Sequence, residues 1–249
     1  MAEVFWAILT KLNYYRVKML DTGNKLEKLE LIDINGQPFD IVNYRGKKLA
    51  IYFWASWWNC RTQLPGWQLL AQKAEEKNIG LINISLDFQG PEKVIPYLKE
   101  YGVKIKTFID VDNSSGLLFG FKVVPNLLIF DEDLTLKFKC IANINILKNE
   151  HKLLVENWIE TGDIDFLNNI NSKPVSMPAK ESVNVLREGN KILETKQGDA
   201  KQLLKNLVSD DPENFIFRKQ YWAINNPEKF YSGKIDTDWQ RKKLENNED

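Results

Sequence analysis

The order of apolar and helical stretches predicts an α/β fold with a mixed central sheet, helices on both of its faces, and helical extensions at either end. Three observations carry this. Leu49-Ala50-Ile51-Tyr52-Phe53 is an unbroken apolar run, the pattern of a parallel strand buried on both faces. Further runs at Leu81–Leu86 and Phe108–Val111 are separated from it and from each other by helix-period stretches, which argues for crossover connections. Leu127–Phe130 and Leu134–Ile141 are divided only by Asp131-Glu132-Asp133, a spacer short enough to join antiparallel strands but not parallel ones.

Taken in order, residues 1–27 read as an N-terminal helical extension. Phe5, Ile8, Leu9 and Leu12 recur at helical spacing, with Trp6, Tyr14 and Tyr15 added. Residues 1–21 are expected either to pack on the parent domain or to dock on a partner or a membrane surface. The domain proper spans 28–160. Residues 29–41 alternate around Asn35-Gly36, a strong hairpin signal. A helix is expected from about Cys60 to Lys77, interrupted at Pro65 because proline removes a donor. Pro91–Tyr101 reads as a helix with Val94, Leu98 and Tyr101 on one face, and Ser114–Phe119 as a short helix capped by a serine. Leu147–Glu160 closes the domain. The hairpin pairing predicted across Asp131–Asp133 sets Cys140 level with Pro125. Residues 161–180, with Gly162, Pro174 and Pro178, form a linker. Residues 181–249 form a C-terminal helical extension: two patterns divided by Gly198, a third starting at Asp211-Pro212, a short fourth at Asn226-Pro227, and a polar tail.

Composition narrows the function classes. Among 249 residues, Lys+Arg and Asp+Glu are both 34, so no net field draws the chain to nucleic acid, and no nucleic-acid partner is expected. The single histidine, His151, is read as a surface residue. With two cysteines, Cys60 and Cys140, the usual metal-ligand clusters are missing, and neither metal nor other cofactor is expected. Neither a signal peptide nor a membrane-length apolar run is evident, which makes a cytoplasmic setting the default expectation.

The chemistry concentrates in Phe53–Pro65, FWASWWNCRTQLP, where the buried strand gives way to a helix. A cysteine at a helix N-terminus gains from the dipole, which favours its thiolate. Val124-Pro125-Asn126 opens a later strand. Together with the upstream hairpin and the Asp87 segment, these features resemble the thioredoxin-like redoxins of the TlpA/ResA type over residues 28–160. That family carries Phe-Trp-Ala-Ser-Trp, then Cys-x-x-Cys, then a proline, faced by a cis-proline. The resemblance implies a thioredoxin-like fold and, in ordinary members, thiol-disulfide exchange.

Here the motif departs from the pattern. Counted back from Pro65, Cys60 takes the second cysteine's place and Trp57 the first. Counted forward from Phe53-Trp54, Trp58 takes the first cysteine's place. The downstream count is preferred, because the helix at Pro65 fixes the register of Cys60. Either way the first cysteine is a tryptophan, and an indole cannot attack a disulfide, so the dithiol cycle cannot run within this motif. Peroxiredoxin chemistry fits less well, since the threonine it wants three residues before the cysteine is Trp57.

Two functions remain open: a protein-binding or assembly-supporting member with a degenerate redox site, or a monothiol oxidoreductase acting through Cys60. Cys60 is the catalytic candidate if the protein is active, and Trp57, Trp58, Asn59, Arg61, Val124 and Pro125 are the expected lining. Burial of the Cys60 sulfur favours the binder; exposure facing Pro125 favours the enzyme. Leu136, Phe138 and Cys140 alternate on one face, so Cys140 is expected in the core, two strand spacings from the Cys60 strand and too far for a Cys60–Cys140 bond. The aromatic and basic residues Phe215, Phe217, Arg218, Lys219, Tyr221, Trp222, Phe230 and Tyr231 are expected to pack on the domain or on a partner. A protein partner or self-association through the helical extensions is expected from the aromatic area they carry.

Overall fold

A computed structural model describes residues 19–170 and 197–246. The expected helix over 1–21 and the first pattern of 181–249 lie outside the described residues, all or nearly all. Among the described residues seven strands form one sheet, in the order β2-β1-β5-β4-β3-β6-β7. They are β1 (Glu30–Asp33), β2 (Pro38–Asp40), β3 (Leu49–Trp54), β4 (Gly80–Ser85), β5 (Thr107–Ile109), β6 (Asn126–Phe130) and β7 (Leu136–Ile141). β3 runs parallel to β4 and β4 to β5, while β6 and β7 run antiparallel, so the sheet is mixed and thioredoxin-like.

Every residue of β3 is buried, because both sheet faces are covered. Tyr52 stacks on Trp67 of α1 (Leu64–Glu76) at 4.5 Å, while Phe53, pointing the other way, meets Phe119 of α3 (Ser114–Phe119) and Phe121. Helix α2 (Pro91–Glu100) carries buried Val94, Tyr97 and Leu98. Helix α4 (Asn149–Thr161) lies beside α1, joined by Lys73–Glu156 and Lys77–Glu160 pairs, both 2.7 Å. The β3–β6 register sets Phe53 opposite Asn126, so the end of β3 and Pro125 emerge together.

Several local expectations are corrected. A 3₁₀ turn at Asn59–Gln63 precedes α1, and Pro65 lies in the first helical turn, where a missing N–H costs nothing; it starts the helix rather than interrupting it. Asn113, not a serine, is the cap residue of α3, and the amides of Ser114 and Ser115 are taken by the Asp110 carboxylate instead. His151 is buried, its Nδ1 accepting from the Asn145 amide at 3.1 Å, and burial lowers its pKa. Cys140 pairs with Leu127 rather than lying level with Pro125, because β7 starts two residues later than expected and the ladder slips between Ile129 and Phe130.

The C-terminal helices are α5 (Gln197–Asp210), α6 (Phe215–Asn225), α7 (Glu228–Tyr231) and α8 (Thr237–Glu245). Gly198 falls inside the start of α5. Asp211-Pro212 precedes α6 without starting it; Asn214 caps it, accepting from the Ile216 and Phe217 amides. The expected polar tail is helix α8, capped by Asp236 and anchored by Trp239 against Trp222 and Phe230. Leu204, Leu207, Ile216, Phe217, Trp222 and Phe230 are buried. These helices fold back on the domain, joined to it by a half-buried Lys122–Asp211 pair at 2.9 Å and by the Ile216 amide donating to the Lys122 carbonyl.

Candidate functional site

The chain leaves β3 through Ala55 and Ser56, both buried. Ser56 is held by the buried Asp87 carboxylate, which accepts from its amide at 2.9 Å and its hydroxyl at 2.5 Å, and also from the Ser85 hydroxyl. Burial raises the Asp87 pKa. Trp57 then turns inward: it is 1% exposed and its indole N–H donates to the Leu86 carbonyl at 3.0 Å. A large aromatic ring with its one polar group satisfied is a stable core element. The next residue, Trp58, remains half-buried at the surface.

Cys60 is 4% exposed, in the 3₁₀ turn, and its carbonyl accepts from the Tyr52 hydroxyl at 3.0 Å. Burial pushes its thiol up to about 12, the opposite of what a helix N-terminus does for an exposed cysteine. Both cysteines are free thiols.

Arg61, expected among the lining of the site, engages the C-terminal extension instead. It is 5% exposed and ties the motif to the C-terminal extension. Its guanidinium donates to the carbonyls of Ser56 at 2.5 Å, Phe230 at 3.2 Å and Gly233 at 2.9 Å, and lies 4.2 Å from the centre of the Tyr97 ring. Gln220 of α6 donates to the Leu86 carbonyl at 2.6 Å, the same oxygen that holds Trp57. Asn59 is exposed and outside the groove, its carbonyl engaged by the Thr62 hydroxyl. The Val124–Pro125 bond is cis.

A groove of about 390 Å³ opens beside that proline. Trp57, Trp58, Val124 and Pro125 line it, together with Val123, Ala142, Phe215, Lys219 and Leu244. Cys60 is not among its lining residues. One wall therefore belongs to the C-terminal helices. Lys219 is 7% exposed; its ammonium sits 3.1 Å from the Trp58 ring centre and donates to Gln240 Oε1 at 2.9 Å. Burial pushes its pKa down to about 7. Sequence reasoning placed Phe215 and Lys219 in a packing segment without connecting them to the motif. The one available signal was the density of aromatic and basic residues there, which does not encode a contact 160 residues away along the chain.

Among the described residues no helix is long and apolar enough to cross a membrane, and no group of three or more His, Cys, Asp or Glu side chains is placed to hold a metal.

Comparison with known proteins places this geometry in context. A DsbE-related secreted disulfide oxidoreductase of Mycobacterium tuberculosis is 18% identical, with a TM-score of 0.39, over 44% of this chain and 80% of that one. A protein provisionally assigned as the thiol:disulfide interchange protein DsbE of Chlorobium tepidum is 21% identical, with a TM-score of 0.46, over 55% of this chain and 99% of that one. An uncharacterised protein of Haemophilus influenzae is 30% identical over 119 residues, 45% of this chain and 75% of the relative. The AhpC/TSA family description matches residues 22–139, a span that holds β1 to β6, the Trp57–Cys60 motif and Pro125. The chain belongs to the AhpC/TSA family.

Proposed function

We propose that this protein is a redoxin that has lost dithiol exchange and binds an extended segment of another protein in the groove between Trp58 and Pro125. The observation that carries the reading is the separation of thiol from groove: Cys60 is buried and its thiol held protonated, while the surface beside Pro125 is open and apolar. A thiolate is needed for attack on a disulfide. A thiol with a pKa raised from 9.0 to about 12 holds roughly a thousandfold less thiolate at neutral pH. Beside the groove, neither the N–H nor the C=O of Val124 has a hydrogen-bond partner among the described residues, which suits an added strand. The C-terminal helices, held by Arg61 and Gln220, complete the groove rather than leave the redox face free.

The test is thiol chemistry on the native protein. Labelling by a disulfide reagent at pH 8 is expected to be about a thousandfold slower than for a free thiol, with both cysteines released on unfolding. Reduction of insulin with a dithiol donor is expected to stay at background. Turnover like that of an ordinary Cys-x-x-Cys protein, abolished by Cys60→Ser, would overturn the proposal in favour of monothiol exchange.

A further inference from the structure

The groove holds a cation with too few partners. Of its nine lining residues, eight are apolar or aromatic and one is Lys219. Among the described residues the Lys219 ammonium has one oxygen acceptor, Gln240 Oε1, and two aromatic faces, Trp58 at 3.1 Å and Phe215 at 6.0 Å; no carboxylate pairs with it. An ammonium carries three donors, and a charge removed from water is costly until it is paired. Gln240 adds a second observation. It is 4% exposed, its Oε1 is taken by Lys219, and its Nε2 is buried with no hydrogen-bond partner. Gln240 is not among the groove's lining residues, so within the groove the Lys219 ammonium is the donor offered to a carboxylate.

We propose that the groove's ligand is the apolar C-terminal end of a partner polypeptide, its free α-carboxylate seated on the ammonium of Lys219. This deepens the peptide-binding reading above and rests on it. The apolar walls suit aliphatic side chains, and the volume is near the lower end of ligand pockets, roughly 300–1,000 Å³. That is room for a few residues rather than a folded surface. The unbonded main-chain groups of Val124 select a peptide over a fatty acid, because an acyl chain has nothing to offer them. A mid-chain peptide segment would satisfy Val124 but leave Lys219 unpaired.

The experiment is calorimetric titration of the full chain at pH 6 with acetyl-Val-Ile-Leu as the free acid, the same peptide as its C-terminal amide, and decanoate. The free acid is expected to bind at least tenfold tighter than the amide and tighter than decanoate. Lys219→Met and Lys219→Gln are expected to erase the acid–amide difference. Equal binding of acid and amide to the native chain would overturn the carboxylate assignment while leaving the groove reading intact. Binding of neither peptide would overturn the groove reading itself. Tight binding of decanoate without the peptides would overturn the choice of ligand class. The acid–amide comparison is made on the native protein, so it stands whether or not the variants fold.

Discussion

Lys219 shows what a single buried charge does to stability. Its pKa falls from 10.5 to about 7 because the folded protein strips water from the ammonium. The Cys60 thiol, the titratable group that acts on it, stays neutral across this range. Below pH 7 both folded and unfolded chains hold the lysine proton, and the folded state carries the full cost of burying the charge. Between about 7 and 10.4 the unfolded chain still binds the proton and the folded one has released it, so this group makes stability rise with pH. Urea unfolding of Lys219→Met and the native protein from pH 6 to pH 10 is expected to show the difference moving in favour of the native protein, on the order of a few kcal/mol over that window. A difference independent of pH would mean the ammonium is solvated. Trp57 and Cys60 show the same logic without titration in the working range: enclosure makes both of them part of the packing.

At the scale of elements, the junction between the Trp57–Cys60 loop and the α7 region rests on one side chain. Arg61 supplies hydrogen bonds to Ser56, Phe230 and Gly233, and those carbonyls would lose their donor in Arg61→Ala. Hydrogen bonds from a charged group contribute about 1.5–3 kcal/mol each, and they are not additive. The substitution is expected to destabilise the fold by about 3 kcal/mol and to expose the chain between α6 and α8 to protease. Urea midpoints and limited proteolysis check this. Arg61→Lys is expected to recover little, because an ammonium cannot reproduce the planar fork that reaches three carbonyls. Unchanged stability would mean that the cap is held by Trp222, Phe230 and Trp239 alone.

For the whole molecule, the sheet and the C-terminal helices share one continuous apolar core that includes Leu86, Phe88, Ile216, Phe217 and Trp222. Phe88 and Phe217 meet across the boundary at 6.4 Å, and Tyr231 accepts from Gln89 while Lys93 lies over its ring. A shared core of this kind unfolds together. Calorimetry is expected to show one transition, with α6 and β3 amides exchanging at similar rates; two separated transitions would make the extension an independent unit.

The sequence by itself determined the order of strands and crossovers, since buried parallel strands leave unbroken apolar runs and hairpins leave short polar spacers. It also determined that Cys60 is preceded by Trp57 and Trp58 with no other cysteine in the stretch, because that is a matter of residue identity. The choice between an exposed and a buried Cys60 was made only in the tertiary structure. So were the inward turn of Trp57, the diversion of Arg61 to the α7 region, and the arrival of Lys219 in the groove. The burial of His151 and the shifted partner of Cys140 belong to the same class. Local periodicity records which face of an element is apolar, but not which distant element covers it. Here the covering helices come from a segment about 160 residues downstream of the motif, and only their packing sets a buried Cys60 beside a groove they help to wall.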